Sequence, residues 1–140
     1  MALYRCGIKK LKETTQSFGS HMYINHVGVP EQASGPSNWD ITMTYEGQLT
    51  SFSLGNSYNG NTISSNQRYR LYARKNISDS WTLVADNRST GTTTISNKNK
   101  YKYLRLQAYN GPSFAIWEEP AGNYWYLVAA NFNVSYKYRG

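Results

Sequence analysis

Cystine cross-links are excluded from this chain at the outset. Cys6 is the single cysteine in 140 residues, so no intrachain disulfide can form and the fold must stand on packing alone. Charge is scarce as well, at 16% of residues, and acids are the rarer sign, with 8 against 15 Lys and Arg. The resulting +7 is uneven: Arg5, Lys9, Lys10 and Lys12 against Glu13 place +3 in residues 1–15. Such an excess serves solubility or an acidic partner. Nucleic acid is the less favoured partner, because the basic strand residues interleave with tyrosines and form no long run. No segment approaches the roughly 18 consecutive apolar residues of a membrane span. "MALYRCGIKKLKETT" also lacks the apolar stretch of about 7–15 residues that a secretory leader needs. The expectation is synthesis in the cytoplasm without a signal peptide and without membrane insertion. The N-x-S triplets at Asn76, Asn87 and Asn133 then carry little weight as glycosylation sites.

What the chain has is aromatic and hydroxyl-bearing residues. Aromatics are 15%, with 13 tyrosines and 4 tryptophans, and Asn, Ser and Thr fill most polar positions. These side chains fit a half-buried pleated surface, whereas a helical chain of this length would hold more Ala, Leu, Glu and Lys. The pattern agrees. In "RYRLYAR" (68–74), Tyr69, Leu71 and Ala73 share one face and Arg68, Arg70, Tyr72 and Arg74 the other. After the turn "KNISDS", Trp81, Leu83 and Ala85 alternate with Thr82, Val84 and Asp86. "TTTIS" (92–96) is a β-branched strand. In "YKYLRLQAY" (101–109), Lys102, Leu104, Leu106 and Ala108 oppose Tyr101, Tyr103, Arg105, Gln107 and Tyr109. Tyr126, Val128, Ala130, Phe132, Val134 and Tyr136 keep strict period two, which predicts one final strand, the longest. "DITMTYEGQLTSFSLG" reads as two strands, near 41–45 and 49–54, joined in a hairpin across "EGQ". "VPEQASGPSNWD" (29–40) reads as a loop, and Asn59-Gly60 as a turn within a long polar loop. About eight antiparallel strands at regular spacing indicate an all-β sandwich or barrel.

Residues 1–20 differ from the rest. Tyr4, Ile8 and Leu11 fall at helical spacing, weakened by Gly7; the alternative is an extended arm that orders on a partner. The domain reading is therefore an N-terminal arm or attachment segment over 1–20 and a β-sandwich over 21–140.

No catalytic signature stands out, and neither a metal nor a cofactor is expected. His21 and His26 lack further ligands at metal-binding spacing. Glu118 and Glu119 are adjacent, so a strand would point them to opposite faces rather than at one glycosidic bond. The best binding candidate is the loop "WEEPAGNYW". Trp117, Tyr124 and Trp125 could stack on sugar rings, with Glu119 and Asn123 bonding hydroxyls; the competing reading is aromatic packing across a hairpin. The Tyr/Arg face of Arg70, Tyr72, Tyr103 and Arg105 is either solvated sheet surface or an interface. Leu3, Tyr4, Arg5, Ile8 and Leu11 are the interface candidates of the arm.

"YRLYAR…SWTLVADN…TTTIS…KYKYLRLQ" resembles the middle of discoidin-like jelly rolls, and similar phrases occur in virion proteins of phages and prophages of gut Firmicutes. "MALYRCG" is similar to the N-terminus of short tail, baseplate and head-fibre proteins of such phages. The resemblance spans residues 1–7 and 68–107. It departs where discoidin lectins carry an Asp-Gly hairpin, replaced by "ISDS", and where their metal loop would be. It implies a jelly-roll-like β-sandwich and a non-enzymatic structural or adhesive part of the virion, in the tail, baseplate, head fibre or decoration layer. Such a protein would dock to other virion proteins through its arm, assemble as a homo-oligomer such as a trimer, and contact the host surface. The alternative is a carbohydrate-binding module reading cell-surface glycans through 117–126.

Overall fold

Period-two alternation puts apolar side chains on one face of each strand, and two such faces can be buried only against each other. The computed structural model describes residues 10–19, 21–27, 37–109, 117–119 and 123–140, with 24–27, 117–119 and 123–125 described by backbone alone. Among these residues the chain is all β, in twelve strands where the sequence indicates about eight. They are β1 (Leu11–Ser17), β2 (His21–Val27), β3 (Ser37–Leu54), β4 (Ser57–Tyr58), β5 (Asn61–Thr62) and β6 (Arg68–Arg74) in the first half. The second half holds β7 (Thr82–Arg88), β8 (Gly91–Thr94), β9 (Lys100–Tyr109), β10 (Trp117–Glu119), β11 (Asn123–Ala130) and β12 (Asn133–Arg139). A seven-stranded sheet runs β1-β12-β3-β9-β6-β7, with β8 also paired to β3, and a three-stranded sheet runs β10-β11-β2. Every strand pair is antiparallel.

The large sheet turns Leu49, Phe52, Tyr69, Leu71, Leu104, Leu106, Val134 and Tyr136 inward, and Tyr126 and Val128 of β11 join them in one core. Leu71, Leu104 and Leu106 are fully buried, each worth roughly 1.5–3 kcal/mol in apolar burial. The other face of β11 is covered too. Leu127 and Ala130 pack with Ile63, Tyr23 and Tyr58, which brings in the β4–β5 hairpin. Asn59 (φ 52°) and Gly60 (φ 79°) make that hairpin's turn, as the Asn-Gly pair predicts.

Three expectations are corrected. "EGQ" is not a hairpin: β3 runs unbroken for 18 residues through Glu46, Gly47 and Gln48. Gly47 is there for close approach, since a Cβ would sit 2.4 Å from the Lys137 carbonyl oxygen of β12. The final apolar run is not one strand. It divides at Asn131, in the left-handed region at φ 52°, into β11 of the small sheet and β12 of the large one. Tyr126, Val128, Phe132, Val134 and Tyr136 meet in one core, but the bulge in β11 turns Ala130 to the other side with Leu127, so the alternation breaks just before the chain changes layers. Lastly, Ser37–Asp40, at the end of the expected 29–40 loop, begins β3; residues 28–36 lie outside the described residues.

Within the span read as an arm, Leu11–Ser17 forms β1, paired along its whole length with β12. Leu11 is 56% exposed there. Residues 1–9 lie outside the described residues.

One buried bond ties the two layers. β11 carries a bulge at which Leu127 pairs with Tyr23 and Ala129 with Met22, skipping Val128. The Tyr69 hydroxyl, from the opposite sheet, donates to the Val128 carbonyl at 2.8 Å. Burial holds the Tyr69 phenol protonated, well above its ordinary pKa. Tyr69→Phe keeps the ring packing and removes this donor. It should destabilise by about 1–3 kcal/mol in chemical denaturation, the cost of orphaning a buried acceptor. An unchanged midpoint would mean that the Val128 carbonyl finds another partner.

Candidate interaction face

The outer side of the large sheet collects the polar halves of four neighbouring strands. Pairing of β6 with β9 sets Arg70 opposite Gln107, Tyr72 opposite Arg105, and Arg74 opposite Tyr103. The sequence-predicted residues Arg70, Tyr72, Tyr103 and Arg105 thus share one face, their strand neighbours Leu71, Leu104 and Leu106 being buried behind them.

Two rows of polar contacts cross this face. In the first, Gln107 donates to the Asn38 amide oxygen at 3.3 Å and accepts from Arg70 Nη1 at 3.1 Å, while Arg70 Nε donates to Asp86 at 2.9 Å. In the second, Arg105 grips Asp40 with two bonds, Nε to Oδ1 at 2.7 Å and Nη2 to Oδ2 at 2.8 Å. That bidentate bond is the main reason the Asp40 carboxyl stays below the usual carboxylate range, with burial partly opposing it. The Asp86 bond likewise raises Arg70, which stays cationic at any working pH. Trp81 sits beside these rows. The guanidinium carbons of Arg74 and Arg105 lie 4.1 and 4.8 Å from its ring centroid, and that of Arg70 lies 3.9 Å from the Tyr109 ring. Each such cation–π contact contributes about 0.5–1 kcal/mol on an exposed surface.

Two face assignments are corrected. Trp81, Leu83 and Ala85 do not share a face. Register shifts in the β6–β7 ladder leave Leu83 44% exposed and Ala85 buried. Tyr101 does not join the outer face either. It is 5% exposed, and Lys102 points out instead, donating from Nζ to the Thr44 carbonyl at 2.9 Å. The alternation slips because β3 residues 43–46 bulge opposite Lys102 alone.

Sequence reasoning missed Asp40, assigned to a loop, and the setting of Trp81, assigned to an apolar strand face. One signal for Trp81 was available: Arg74 and Trp81 flank the "KNISDS" turn, which brings them together across a hairpin. Leu11 belongs to the far edge strand of the sheet rather than to this face. Leu3, Tyr4, Arg5 and Ile8 lie outside the described residues.

The 117–126 candidates fall on one hairpin. Trp117 pairs with Trp125, Glu118 with Tyr124 and Glu119 with Asn123, and Asn123–Val27 and Tyr124–His26 continue the small sheet. Residues 120–122 lie outside the described residues. His21 stacks on Tyr58 with centroids 4.1 Å apart. Among the described residues, no group of three or more His, Cys, Asp or Glu side chains could hold a metal ion, and no helix is long and apolar enough to cross a membrane. The chain matches no protein-family model, no curated protein and no solved structure.

Asp40 generates a pH-dependent prediction. A carboxyl whose folded pKa is depressed adds stability above its unfolded pKa, about 3.9, and loses it as pH falls through the folded value. Asp40→Asn should therefore cost roughly 0.2–1 kcal/mol at neutral pH, the range for a solvent-facing pair. The gap from wild type should narrow as pH falls below the unfolded value of about 3.9 and close once pH is below the folded value. Paired denaturation curves at neutral pH and in acid check this, and a gap that is constant with pH would show the ion pair to be neutral.

Proposed function

We propose that this chain is a non-enzymatic structural or adhesive component of a phage particle, in the tail, baseplate, head fibre or decoration layer. It works through surface contact with other virion proteins and with copies of itself. The observation that carries the reading is the outer face, where cross-strand hydrogen bonds hold Arg70 and Arg105 and where Trp81 and Tyr109 lie against the guanidinium groups of Arg74, Arg105 and Arg70. Arg, Tyr and Trp are the residues that dominate protein–protein contact energies. Side chains already ordered before contact lose little entropy on docking. Residues 1–9, which lead into edge strand β1, are the proposed docking arm.

The test is incorporation. In a host carrying the gene and releasing particles, the wild-type chain should co-sediment with gradient-purified particles at a fixed copy number. The Trp81→Ala/Arg105→Ala variant and a deletion of residues 2–9 should each reduce that amount at least about tenfold, while Tm falls by no more than about 5 °C. Wild-type chain found only in the soluble lysate would overturn the proposal.

A glycan-binding reading is favoured by one separate observation, the β10–β11 register that sets Trp117 opposite Trp125 and Glu119 opposite Asn123. Trp residues suit a sugar's C–H face, and Asn and Glu suit its hydroxyls. Directly opposed residues share a sheet face, so Trp117→Ala and Trp125→Ala should act alike. Both should lose binding on a glycan array with melting intact. Early melting of both, with a blank array for the wild type, would assign the pair to packing.

A further inference from the structure

The bulge in β3 builds a second surface, at the end of the sandwich where β9 begins. Gln16 of β1 pins it, accepting from the Thr44 N–H at 3.0 Å and donating to Thr44 Oγ1 at 2.6 Å. The Tyr45 N–H donates to the buried Tyr136 phenol oxygen at 3.2 Å. Held this way, Tyr45 lies parallel to Tyr138, with centroids 4.2 Å apart and planes within 1°. Around the stack opens a groove of about 520 Å³ that carries Lys100, Lys102, Lys137 and Arg139 against one carboxylate, Glu46. A second depression of about 570 Å³ shares Lys100 and extends the basic band to Lys98, Lys75 and Arg74, with Asp79 its one acid.

Seven cations against two carboxylates is a strong local imbalance in a chain of net charge +7. Lys75 reaches Glu46 at 4.0 Å and Lys102 is bound to the Thr44 carbonyl. Lys98, Lys100 and Lys137 make no ion pair among the described residues. Clustered like charges repel one another, and a multivalent anion relieves that repulsion at several points at once. The groove is also partly apolar. Leu11 (56% exposed) and Tyr45 (46%) are two of the four large hydrophobic side chains left exposed among the described residues, and both line it.

We propose that this groove binds an anionic polysaccharide. Lysine amines meet its carboxylate, sulfate or phosphate groups, while Tyr45 and Leu11 pack on the C–H faces of its sugar rings. A single-stranded nucleic acid fits less well, because it uses several open aromatic faces in succession. Here Tyr45 and Tyr138 stack on each other rather than standing in succession, and Tyr101 is buried. The proposal rests on the charge and shape of this end and is independent of the virion reading, the outer face and the 117–126 hairpin.

Binding of the full chain to polygalacturonate and to heparin, against neutral dextran and oligo(dT), tests it. Both anionic polysaccharides should bind, with Kd rising at least about tenfold between roughly 50 and 300 mM salt as screening sets in. Dextran should not bind. Lys100→Glu should raise Kd at least about tenfold, whereas Arg88→Glu should change it less than about twofold. Arg88 is exposed beside Tyr69, at the opposite end of β6, so the second variant makes the same charge change away from the groove. Tyr45→Ala should lower the binding that survives at the higher salt. Failure of both polysaccharides to bind, or equal losses in Lys100→Glu and Arg88→Glu, would overturn the site. Equal binding of dextran, or tighter binding of oligo(dT) with the same Lys100 sensitivity, would overturn the ligand class.

Discussion

A buried bond ties the layers of the sandwich, the Tyr69 hydroxyl on the Val128 carbonyl, and the Gly55 N–H on the Ala130 carbonyl at 2.8 Å adds a second link where β3 ends. A three-stranded sheet has few ladder bonds of its own, and its central strand is bulged where Val128 is skipped. An orphaned carbonyl at that depth would cost about as much as a large core side chain contributes. The phenol that satisfies it comes from β6 of the large sheet, so the same contact helps to fix how the two sheets face each other. Without a disulfide in the chain, such polar ties and the apolar burial around them register the two layers.

The long strand β3 distributes that order outward. Its first part pairs with β9, and its second pairs with β12 on one side and β8 on the other. The change falls at residues 43–46, where an irregular ladder must be held by side chains. Gln16 and Tyr136 hold it. Burial pushes the Tyr136 phenol up, so it remains a neutral hydrogen-bonding group there. Its hydroxyl also contacts the Gln16 amide oxygen, which links the edge strand β1 to the core.

Two surfaces of different character result. The outer face is electrostatically closed, its arginines engaged by Asp40, Asp86 and aromatic rings. Such a surface offers shape and ordered side chains, which suits a protein partner. The bulge end carries more cations than carboxylates, with Lys98, Lys100 and Lys137 in no ion pair among the described residues, which suits a polymeric anion. A particle-borne adhesive protein would use both, one toward its neighbours and one toward a surface.

Much of this was legible in the sequence, and for a local reason. Alternation in 68–74 and 103–109 follows from the backbone's own period of two, so the buried and exposed faces of β6 and β9 could be read without knowing their neighbours. The Asn59-Gly60 turn is local too. What the sequence could not show is set by distant partners. Gly47 reads as a turn residue until the Lys137 carbonyl is seen against it. Tyr101 and Lys102 exchange faces only because β3 bulges opposite them. Tyr126 to Tyr136 reads as one strand because its alternate residues, Ala130 excepted, meet in a single core although the chain changes sheets. The candidate sites divide the same way: the Tyr/Arg face was visible as a pattern, whereas its carboxylate partners Asp40 and Asp86 were not. The basic groove was invisible, since Lys75, Lys100 and Lys137 lie far apart in the chain and meet only at one end of the fold. By itself the sequence determined the all-β class and the inward faces of β6 and of β9 from Tyr103 onward, because side-chain alternation is a property of each regular strand alone. Only the tertiary structure decided which strands lie side by side, where the ladders bulge and which charges meet, because those depend on pairing between segments that carry no local mark of their partner.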